Sequence, residues 1–233
     1  MNVKQLLIIG LVWPEPTSTA AGIRMCQLMD FFTLQGYQIT VASAAGTSDN
    51  SLDLEGINIT QKKIILNDPS FDDFITTLKP SVVIFDRFLI EEQYGWRVAE
   101  HCPTALRILD TEDLHFLRNA RHKALKKGIT CNDDLLFTDD AKREIASIYR
   151  CDLSLIISTV EMDLLKNTFN IDESLLFYLP FLSPKLPTDI FSSYPKFNER
   201  IDFMTIGNFR HAPNWQSILY LKQEIWPLIR KKL

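Results

Sequence analysis

The feature that most constrains the fold is a series of short apolar runs, each followed by a segment with the apolar spacing of a helix. Residues 5–10 (QLLIIG) and 81–86 (SVVIFD) are almost continuously apolar, which is typical of strands buried on both faces of a parallel sheet. This alternation predicts an α/β fold, a Rossmann-like doubly wound parallel sheet with right-handed crossovers. The further strands are expected at 38–42, 57–66, 104–110, 152–158 and 175–179, and the helices at 20–35, 71–78, 91–101, 114–127, 139–150 and 158–169.

A change in composition marks the end of this first domain. Four prolines and three serines fall within residues 180–195, a pattern typical of a linker. We therefore expect a first domain at 1–180, a linker at 181–200, and a new strand at 201–206 followed by a helix that Pro227 kinks. One strand and one helix cannot bury a core of their own. Residues 201–233 are thus expected either to dock on the first domain or to begin a second, incomplete one.

Composition and charge exclude several classes of protein. The 233 residues carry 25 basic and 29 acidic side chains, a net charge of −4, without the basic surface that binds nucleic acid. Four scattered cysteines form no Cys-x-x-Cys pair, so we predict neither a zinc site nor disulfides, and a reduced, cytoplasmic protein. The apolar run at 6–13 is too short to cross a bilayer, which leaves a peripheral contact with the inner membrane face open.

Common nucleotide-binding and catalytic motifs are absent from the sequence. The glycines that follow the first strand are Gly10 and Gly22, so no Gly-x-Gly-x-x-Gly fingerprint is present, and there is no Walker A sequence or Gly-x-Ser-x-Gly elbow. Asp86 ends a strand as a phospho-acceptor does, but the first strand ends in Gly10 and Leu11 rather than in an acid pair. The sequence therefore argues against a receiver domain.

The best candidate for chemistry is the segment 107–118, where an apolar strand runs into three acids, a histidine and an arginine. Ligands of open α/β sheets bind beyond the carboxyl ends of the strands. Asp113 or His115 is a candidate base because either can accept a proton. The alternative is that Asp113 caps a helix starting at Leu114, that Glu112 pairs with Arg118, and that His115 is a surface residue.

Three segments, taken in order, resemble GT-B glycosyltransferases of the family 4 type. These segments are Gly22 with the helix that follows it (GIRMCQL), residues 110–118 (DTEDLHFLR), and residues 206–214 (IGNFRHAPN) with 224–230 (EIWPLIR). The resemblance implies two Rossmann-like domains, with the acceptor held by the amino-terminal domain. It implies that the carboxy-terminal domain holds the donor through glycine-rich backbone and a Glu-x7-Glu segment. This chain departs from that pattern, because it has only the first strand-helix unit of the second domain.

The resemblance also implies roles for individual residues. Gly22, Arg24 and Arg118 are candidates for binding the acceptor or a phosphate, because a glycine at a helix start lets backbone approach an anion. The alternatives are close packing for Gly22, a solvated surface position for Arg24, and a favourable place near a helix C-terminus for the basic residues of 114–127. Gly207 and Asn208 would be a remnant of the donor site, or simply a strand-to-helix turn that Asn214 caps.

The expected function is transfer of a sugar from a nucleotide-sugar donor to a hydroxyl acceptor, with no cofactor and no obligatory metal. Asp113 and His115 would be catalytic. The chain alone is expected to be inactive, because the donor-binding half is missing. One alternative is a non-catalytic binding or assembly module that needs a partner chain carrying the donor half. Another is a fragment of a GT-B fold nucleotide-sugar epimerase.

Overall fold

The described residues form one sheet of seven parallel strands. The structure, a computed structural model, describes residues 4–183, 185–209 and 211–232. The strand order is β3-β2-β1-β4-β5-β6-β7, so the direction of winding reverses between β1 and β4. The predicted doubly wound α/β fold is confirmed. The strands are β1 Lys4–Gly10, β2 Tyr37–Ser43, β3 Thr60–Lys63, β4 Val82–Asp86, β5 Leu106–Asp110, β6 Leu153–Ile156 and β7 Leu176–Tyr178.

Helices connect successive strands except β2 and β3, and most lie within a few residues of their predicted bounds. Two short helices, Asp133–Leu136 and Thr188–Ser193, were not expected, because so few residues carry too little apolar periodicity to be recognised in a sequence. The predicted strand at 57–66 shrinks to β3, which follows a 3-10 turn at Glu55–Ile57. The helices are α1 Ala20–Leu34, α2 Ser70–Leu78, α3 Phe88–His101, α4 His115–Lys127, α5 Asp133–Leu136, α6 Asp139–Arg150, α7 Thr159–Asn167, α8 Thr188–Ser193, α9 Ala212–Tyr220 and α10 Trp226–Arg230.

Two apolar clusters cover the two faces of the sheet. Strand β1 contributes side chains to both clusters, because successive side chains of a strand point to opposite faces. Leu7 and Ile9 belong to the larger cluster, with side chains of α2, α3, α4 and α6. Leu6 and Ile8 belong to the other, in which Met25 of α1 packs. Burial on both faces explains why the central strands are continuously apolar in sequence.

The chain divides into two compact units, Met1–Leu182 and Ser183–Leu233. In the second unit the predicted strand at 201–206 is wrong, since residues 201–208 form no strand. A strand needs a neighbour for its backbone hydrogen bonds, and the described residues of this unit supply none. Pro227 distorts the last helix as predicted, because α9 passes through a π-helical turn at Leu221–Ile225 before α10 begins.

None of the helices in the described residues combines the length and the apolar composition that crossing a membrane requires.

Candidate functional site

A small cleft lies at the carboxyl edge of the sheet, where β1 and β4 end. This is the point at which the strand order reverses, and open α/β sheets bind their ligands there. The loop after β1 forms one wall, α1 forms another, and the residues that follow β4 and β5 complete the lining. The lining consists of Ile8, Gly10, Val12, Trp13, Pro14, Glu15, Thr19, Ala21, Gly22, Met25, Val41, Asp86, Arg87 and Glu112.

Asp86 brings a buried carboxyl group to this cleft. It ends β4 opposite Asp110 of β5, and only 4% of its surface is exposed. Its Oδ2 accepts a hydrogen bond from the Leu11 amide at 3.1 Å, whereas its Oδ1 has no hydrogen-bond partner. Burial raises the pKa of Asp86 to about 7, against the lowering effect of the Arg87 guanidinium. The group can therefore gain or lose a proton near neutral pH.

Arg87 and Glu112 form an ion pair across the ends of the same two strands. The Arg87 Nε lies 2.7 Å from a carboxylate oxygen of Glu112 and 3.4 Å from Oδ1 of Asp86. Both residues have positive φ angles, 73° and 58°, which cost about 1–3 kcal/mol each in residues other than glycine. Strained backbone of this kind clusters at functional sites, which supports the cleft as the candidate site.

Arg24 is committed to the interior of the first unit. It is 2% exposed, its Nε lies 2.9 and 3.1 Å from the two carboxylate oxygens of Asp110, and its Nη1 donates to the Leu179 carbonyl at 2.8 Å. The alternative of a solvated surface group is therefore wrong. The guanidinium does not line the cleft, so its contacts join α1 to β5 and to the segment after β7.

Gly22 lines the cleft, but its surroundings explain the residue by packing. A Cβ at this position would lie 2.3–2.6 Å from backbone atoms of Glu15, far closer than real contacts. The Gly22 amide donates to Oγ1 of Thr19, the N-cap of α1, at 2.9 Å. The expected approach of backbone to a phosphate would thus compete with the helix cap for this amide.

The structure brings Asp113, His115 and Arg118 together at the start of α4. Arg118 Nη1 lies 2.6 and 2.7 Å from the two Asp113 oxygens, and His115 Nε2 lies 3.6 Å from Asp113. Burial, followed by the charge of Arg118, lowers the pKa of His115 to about 4, so the imidazole is neutral at pH 7. These three side chains do not line the cleft, whereas Glu112, the residue before Asp113, does.

The three local alternatives for this segment are wrong, and the first of them concerned His115, whose side chain is only 13% exposed. Glu112 pairs with Arg87 rather than with Arg118. Asp113 does not cap α4, whose N-cap is Leu114 without any side-chain cap of its own. Both carboxylate oxygens of Asp113 instead accept hydrogen bonds from Arg118, and neither accepts from an amide at the start of α4.

Two glutamates from other helices cap α4 in place of Asp113. Glu144 of α6 accepts from the amides of His115 and Phe116 at 3.1 and 3.0 Å, and Glu161 of α7 accepts from the Leu114 amide at 3.1 Å. Glu144 is 1% exposed, and burial raises its pKa to about 8 against the effect of the two amide donors. The turn that carries His115 is therefore fixed by residues distant in sequence.

Sequence reasoning missed Asp86, Arg87, Glu144 and Glu161 as site residues. Asp86 was visible as an acid at the end of a continuous apolar strand. Glu144 had a weaker signal, because it lies on the buried face of α6 between Ala141 and Ile148. Nothing in the sequence pointed to Arg87, because the sequence around an arginine does not predict a positive φ angle.

Gly207 and Asn208 lie in the second unit, where they form a turn before α9. The Asn214 side chain donates to the Asn208 carbonyl at 3.1 Å, and a Cβ at Gly207 would lie 3.3 Å from the same side chain. The N-cap of α9 is His211, so the expectation that Asn214 caps this helix is wrong. These contacts account for the turn by local packing.

Within the described part of the chain, no group of three or more His, Cys, Asp or Glu side chains has an arrangement that could hold a metal ion. The four cysteines are free thiols.

Comparison with known proteins finds similarity in structure. No family model matches the chain. No curated protein matches it in sequence. A sucrose-phosphate synthase from Thermosynechococcus elongatus superposes with a TM-score of 0.53 at 12% identity, over 76% of this chain and 48% of that chain. An α-glucosyltransferase in complex with UDP-glucose and DNA containing an abasic site gives a TM-score of 0.48 at 12% identity, over 97% of this chain and 55% of that chain.

The chain thus spans about half the length of these two solved structures. The first comparison agrees with the parallel sheet and its strand order. The resemblance seen in the sequence is confirmed at the level of the fold, and the chain has the Rossmann-like α/β fold of GT-B glycosyltransferases.

Proposed function

We propose that this chain supplies the acceptor side of a glycosyltransferase that transfers a sugar from a nucleotide-sugar to a hydroxyl group. The observation that carries the proposal is the cleft at the carboxyl edge of a sheet with the GT-B fold. The neighbouring Asp113–His115–Arg118 cluster supports it, because the imidazole is neutral at pH 7, lies beside a carboxylate and has a nitrogen that can accept a hydroxyl proton.

In this proposal the acceptor extends from the cleft past Glu112 to His115, which acts on the acceptor hydroxyl. The acceptor oxygen forms the new bond to the sugar carbon, the nucleoside diphosphate leaves, and the hydroxyl proton passes to the imidazole. Asp113, 3.6 Å from Nε2, stabilises the imidazolium that forms. Arg118 holds Asp113 through two short hydrogen bonds and is a positioning residue. No atom changes its oxidation state in this reaction, so it needs no oxidant or reductant.

We further propose that most of the donor site comes from polypeptide other than these residues, with Gly207 and Asn208 as a remnant. The support is that the chain spans about half of each solved structure it matches. Calorimetric titration of the isolated chain with UDP, GDP and their sugar conjugates is then expected to show no micromolar binding. Micromolar binding would instead mean that a complete donor site lies within these residues.

The reaction is tested with the native complex that contains this chain, purified from the cells that produce it. That assembly should release UDP or GDP from a nucleotide-sugar in the presence of a hydroxyl acceptor. His115→Ala should lower the rate by a factor of about 10²–10⁴, the usual contribution of a general base. His122→Ala, on the same helix α4, is the matched control and should leave the rate near that of the wild type. An assembly that releases no diphosphate from any donor would contradict the proposal.

A second candidate is a non-catalytic binding or assembly module that needs a partner chain. The observation that favours it is a set of exposed apolar side chains in the second unit, among them Phe197 and Ile201 at 89% and Met204 and Ile206 at 90%. Replacing Ile201 and Ile206 by serine should then shift the native mass of the assembly downward. Lys185→Ser, at an exposed polar position, is the control. An unchanged mass would argue against a partner at this segment.

We also propose a cytoplasmic location with a peripheral membrane contact through α4. The support is a group of exposed cations and apolar side chains at the end of α4 and just after it, a combination also found in interfacial helices. The residues are Arg121, Lys123, Leu125, Lys126, Lys127 and, after the helix, Ile129. The protein should sediment with vesicles of phosphatidylglycerol but not of phosphatidylcholine. Lys126→Glu with Lys127→Glu should abolish this binding, and Lys142→Glu on α6 should not.

A further inference from the structure

Helix α1 contacts both the cleft and the segment by which the chain leaves the first unit. Ala21 and Gly22, in its first turn, line the cleft. Arg24 and Gln27, which follow in the same helix, bind backbone atoms of the segment 179–182, the last residues of the first unit. A displacement of α1 would therefore act on the cleft and on this segment together.

The chain leaves the sheet at Leu179. Its amide donates to the Ile156 carbonyl at 2.8 Å, which extends the pairing of β7 with β6 by one residue. Its carbonyl accepts from Nη1 of Arg24 at 2.8 Å. Residues 180–182 are exposed, so burial contributes little to their position. The position of the chain after β7 therefore depends on hydrogen bonds to α1.

Gln27 makes the last of these contacts. Its Oε1 accepts from the Leu182 amide at 2.8 Å. Among the described residues, the hydrogen bonds of 180–182 go to α1 alone. The boundary between the two compact units falls directly after Leu182, so the end of the first unit coincides with the contact from Gln27.

Arg24 joins the same segment to the cleft by a second route. Its Nε lies 2.9 and 3.1 Å from the two carboxylate oxygens of Asp110, and both side chains are buried. The Asp110 carbonyl accepts from the Arg87 amide at 2.9 Å, and Arg87 lines the cleft. The cleft and the Leu179 carbonyl are thus connected through a buried ion pair as well as through α1 itself.

We propose that α1 couples the cleft to the segment 179–182. Arg24 and Gln27 form a latch on this segment that fixes the residue at which the linker begins, and a displacement of α1 at the cleft loosens the latch. Coupling of this kind requires an element with two arrangements, which here are the latch bonds formed and the latch bonds broken. Both residues are positioning residues. This inference goes beyond the proposed function, because it holds whatever the cleft binds.

The latch is tested by NMR on the full chain, through the amides of Phe181 and Leu182. Gln27→Met removes the acceptor but keeps a good helix former. The Leu182 amide should then exchange about three- to tenfold faster, and the order parameters of both amides should fall from about 0.85, the value of rigid backbone, to below about 0.6. Gln27→Glu, whose carboxylate also accepts, should restore the wild-type values. The melting temperature should stay near that of the wild type in both variants.

The coupling is tested at the cleft end of α1. A Cβ at Gly22 would lie 2.3–2.6 Å from backbone atoms of Glu15, so Gly22→Ala must displace the start of the helix. The Leu182 amide, which bonds to Gln27, should then exchange faster than in the wild type. Gly95→Ala on α3 is the matched control, because its Cβ would lie 2.4 Å from a side-chain oxygen of α3 itself, and it should leave the Leu182 rate unchanged.

A second variant serves if Gly22→Ala fails to fold. Thr19→Ala removes the side-chain cap that accepts from the Gly22 amide at 2.9 Å, which loosens the start of α1, and it should raise the Leu182 exchange rate in the same way. A Leu182 order parameter that is already low in the wild type, or that Gln27→Met leaves unchanged, would overturn the latch. A Leu182 exchange rate that responds to neither change at the start of α1, or that responds equally to Gly95→Ala, would overturn the coupling.

Discussion

Asp86 shows how one buried residue makes stability depend on pH. Its pKa is raised from 3.8 to about 7 in the folded chain, so between these values the folded state keeps a proton that the unfolded state has lost. Stability therefore falls as pH rises through this window, by at most about 1.4 kcal/mol per pH unit. Asp86→Asn cannot titrate, so this variant should gain stability relative to the wild type between pH 4 and pH 7.

Urea unfolding at several pH values measures this effect. The exposed Asp49→Asn is the control, and its difference from the wild type should not change with pH in this way. Parallel pH profiles for Asp86→Asn and the wild type would show that the Asp86 carboxyl is ionised in the folded state across the whole range.

The buried ion pair of Arg24 and Asp110 should contribute to the stability of the folded chain. Arg24→Met leaves the Asp110 carboxylate and the Leu179 carbonyl without their donor. Removing one member of a buried pair typically costs about 3–5 kcal/mol. The double variant Arg24→Met with Asp110→Asn should lose less than Arg24→Met alone, because no uncompensated charge remains. Chemical denaturation measures both, and a double variant less stable than Arg24→Met would contradict this explanation.

At the scale of elements, the start of α4 depends on α6 and α7. Glu144→Ala would leave the His115 and Phe116 amides without acceptors, at a cost of about 1–3 kcal/mol for each buried group left unsatisfied. We expect faster hydrogen exchange at these two amides and a loss of any activity that needs His115 in place. Glu173→Ala, at an exposed position of another helix turn, is the control. An unchanged exchange rate at the His115 amide would mean that the first turn of α4 is stable without Glu144.

The same helix shows what a sequence can and cannot predict. The existence of α4 was predicted, and the predicted range 114–127 differs from the observed helix by one residue. Its first turn did not, because the acceptors come from Glu144 and Glu161, which only the folded chain brings near. Arg24 was misjudged for the same reason, since its partner lies 86 residues away. Local patterns predict elements well, whereas ion pairs between elements depend on the tertiary arrangement.

The apolar run at 201–206 was misjudged for a complementary reason. Its composition is that of a buried strand, and the runs at 5–10 and 81–86 with similar composition do form β1 and β4. What differs is the presence of neighbouring strands, because hydrogen bonds between strands define a sheet. A strand is therefore a property of its surroundings as much as of its own residues.

At the scale of the whole molecule, the two units should differ in stability. All the buried side chains of the described residues precede residue 183, and residues 185–209 and 211–232 contain none. Regions with few buried apolar contacts open more readily. Hydrogen exchange should therefore be faster at residues 201–209 and 211–232 than in β1, β4 and β5. Equal protection in both units would contradict this expectation.

Truncation separates what the first unit needs from what it does not. A chain ending at Leu182 keeps all seven strands and the carbonyls of Leu179 and Pro180 that accept from Arg24, so its melting temperature should stay close to that of the full chain. A chain ending at Ser174 loses β7 and both carbonyls, so the buried Arg24 guanidinium keeps Asp110 but loses its backbone acceptors, which is destabilising. Thermal unfolding by circular dichroism should give similar melting temperatures for the full chain and the 182-residue chain, and a clearly lower one for the 174-residue chain.

If the 182-residue chain instead melts with the shorter one, the first unit depends on residues beyond Leu182. If both truncations melt like the full chain, neither β7 nor the contacts of Arg24 with its carbonyls hold the sheet together, and the burial of Arg24 would have to be explained by Asp110 alone.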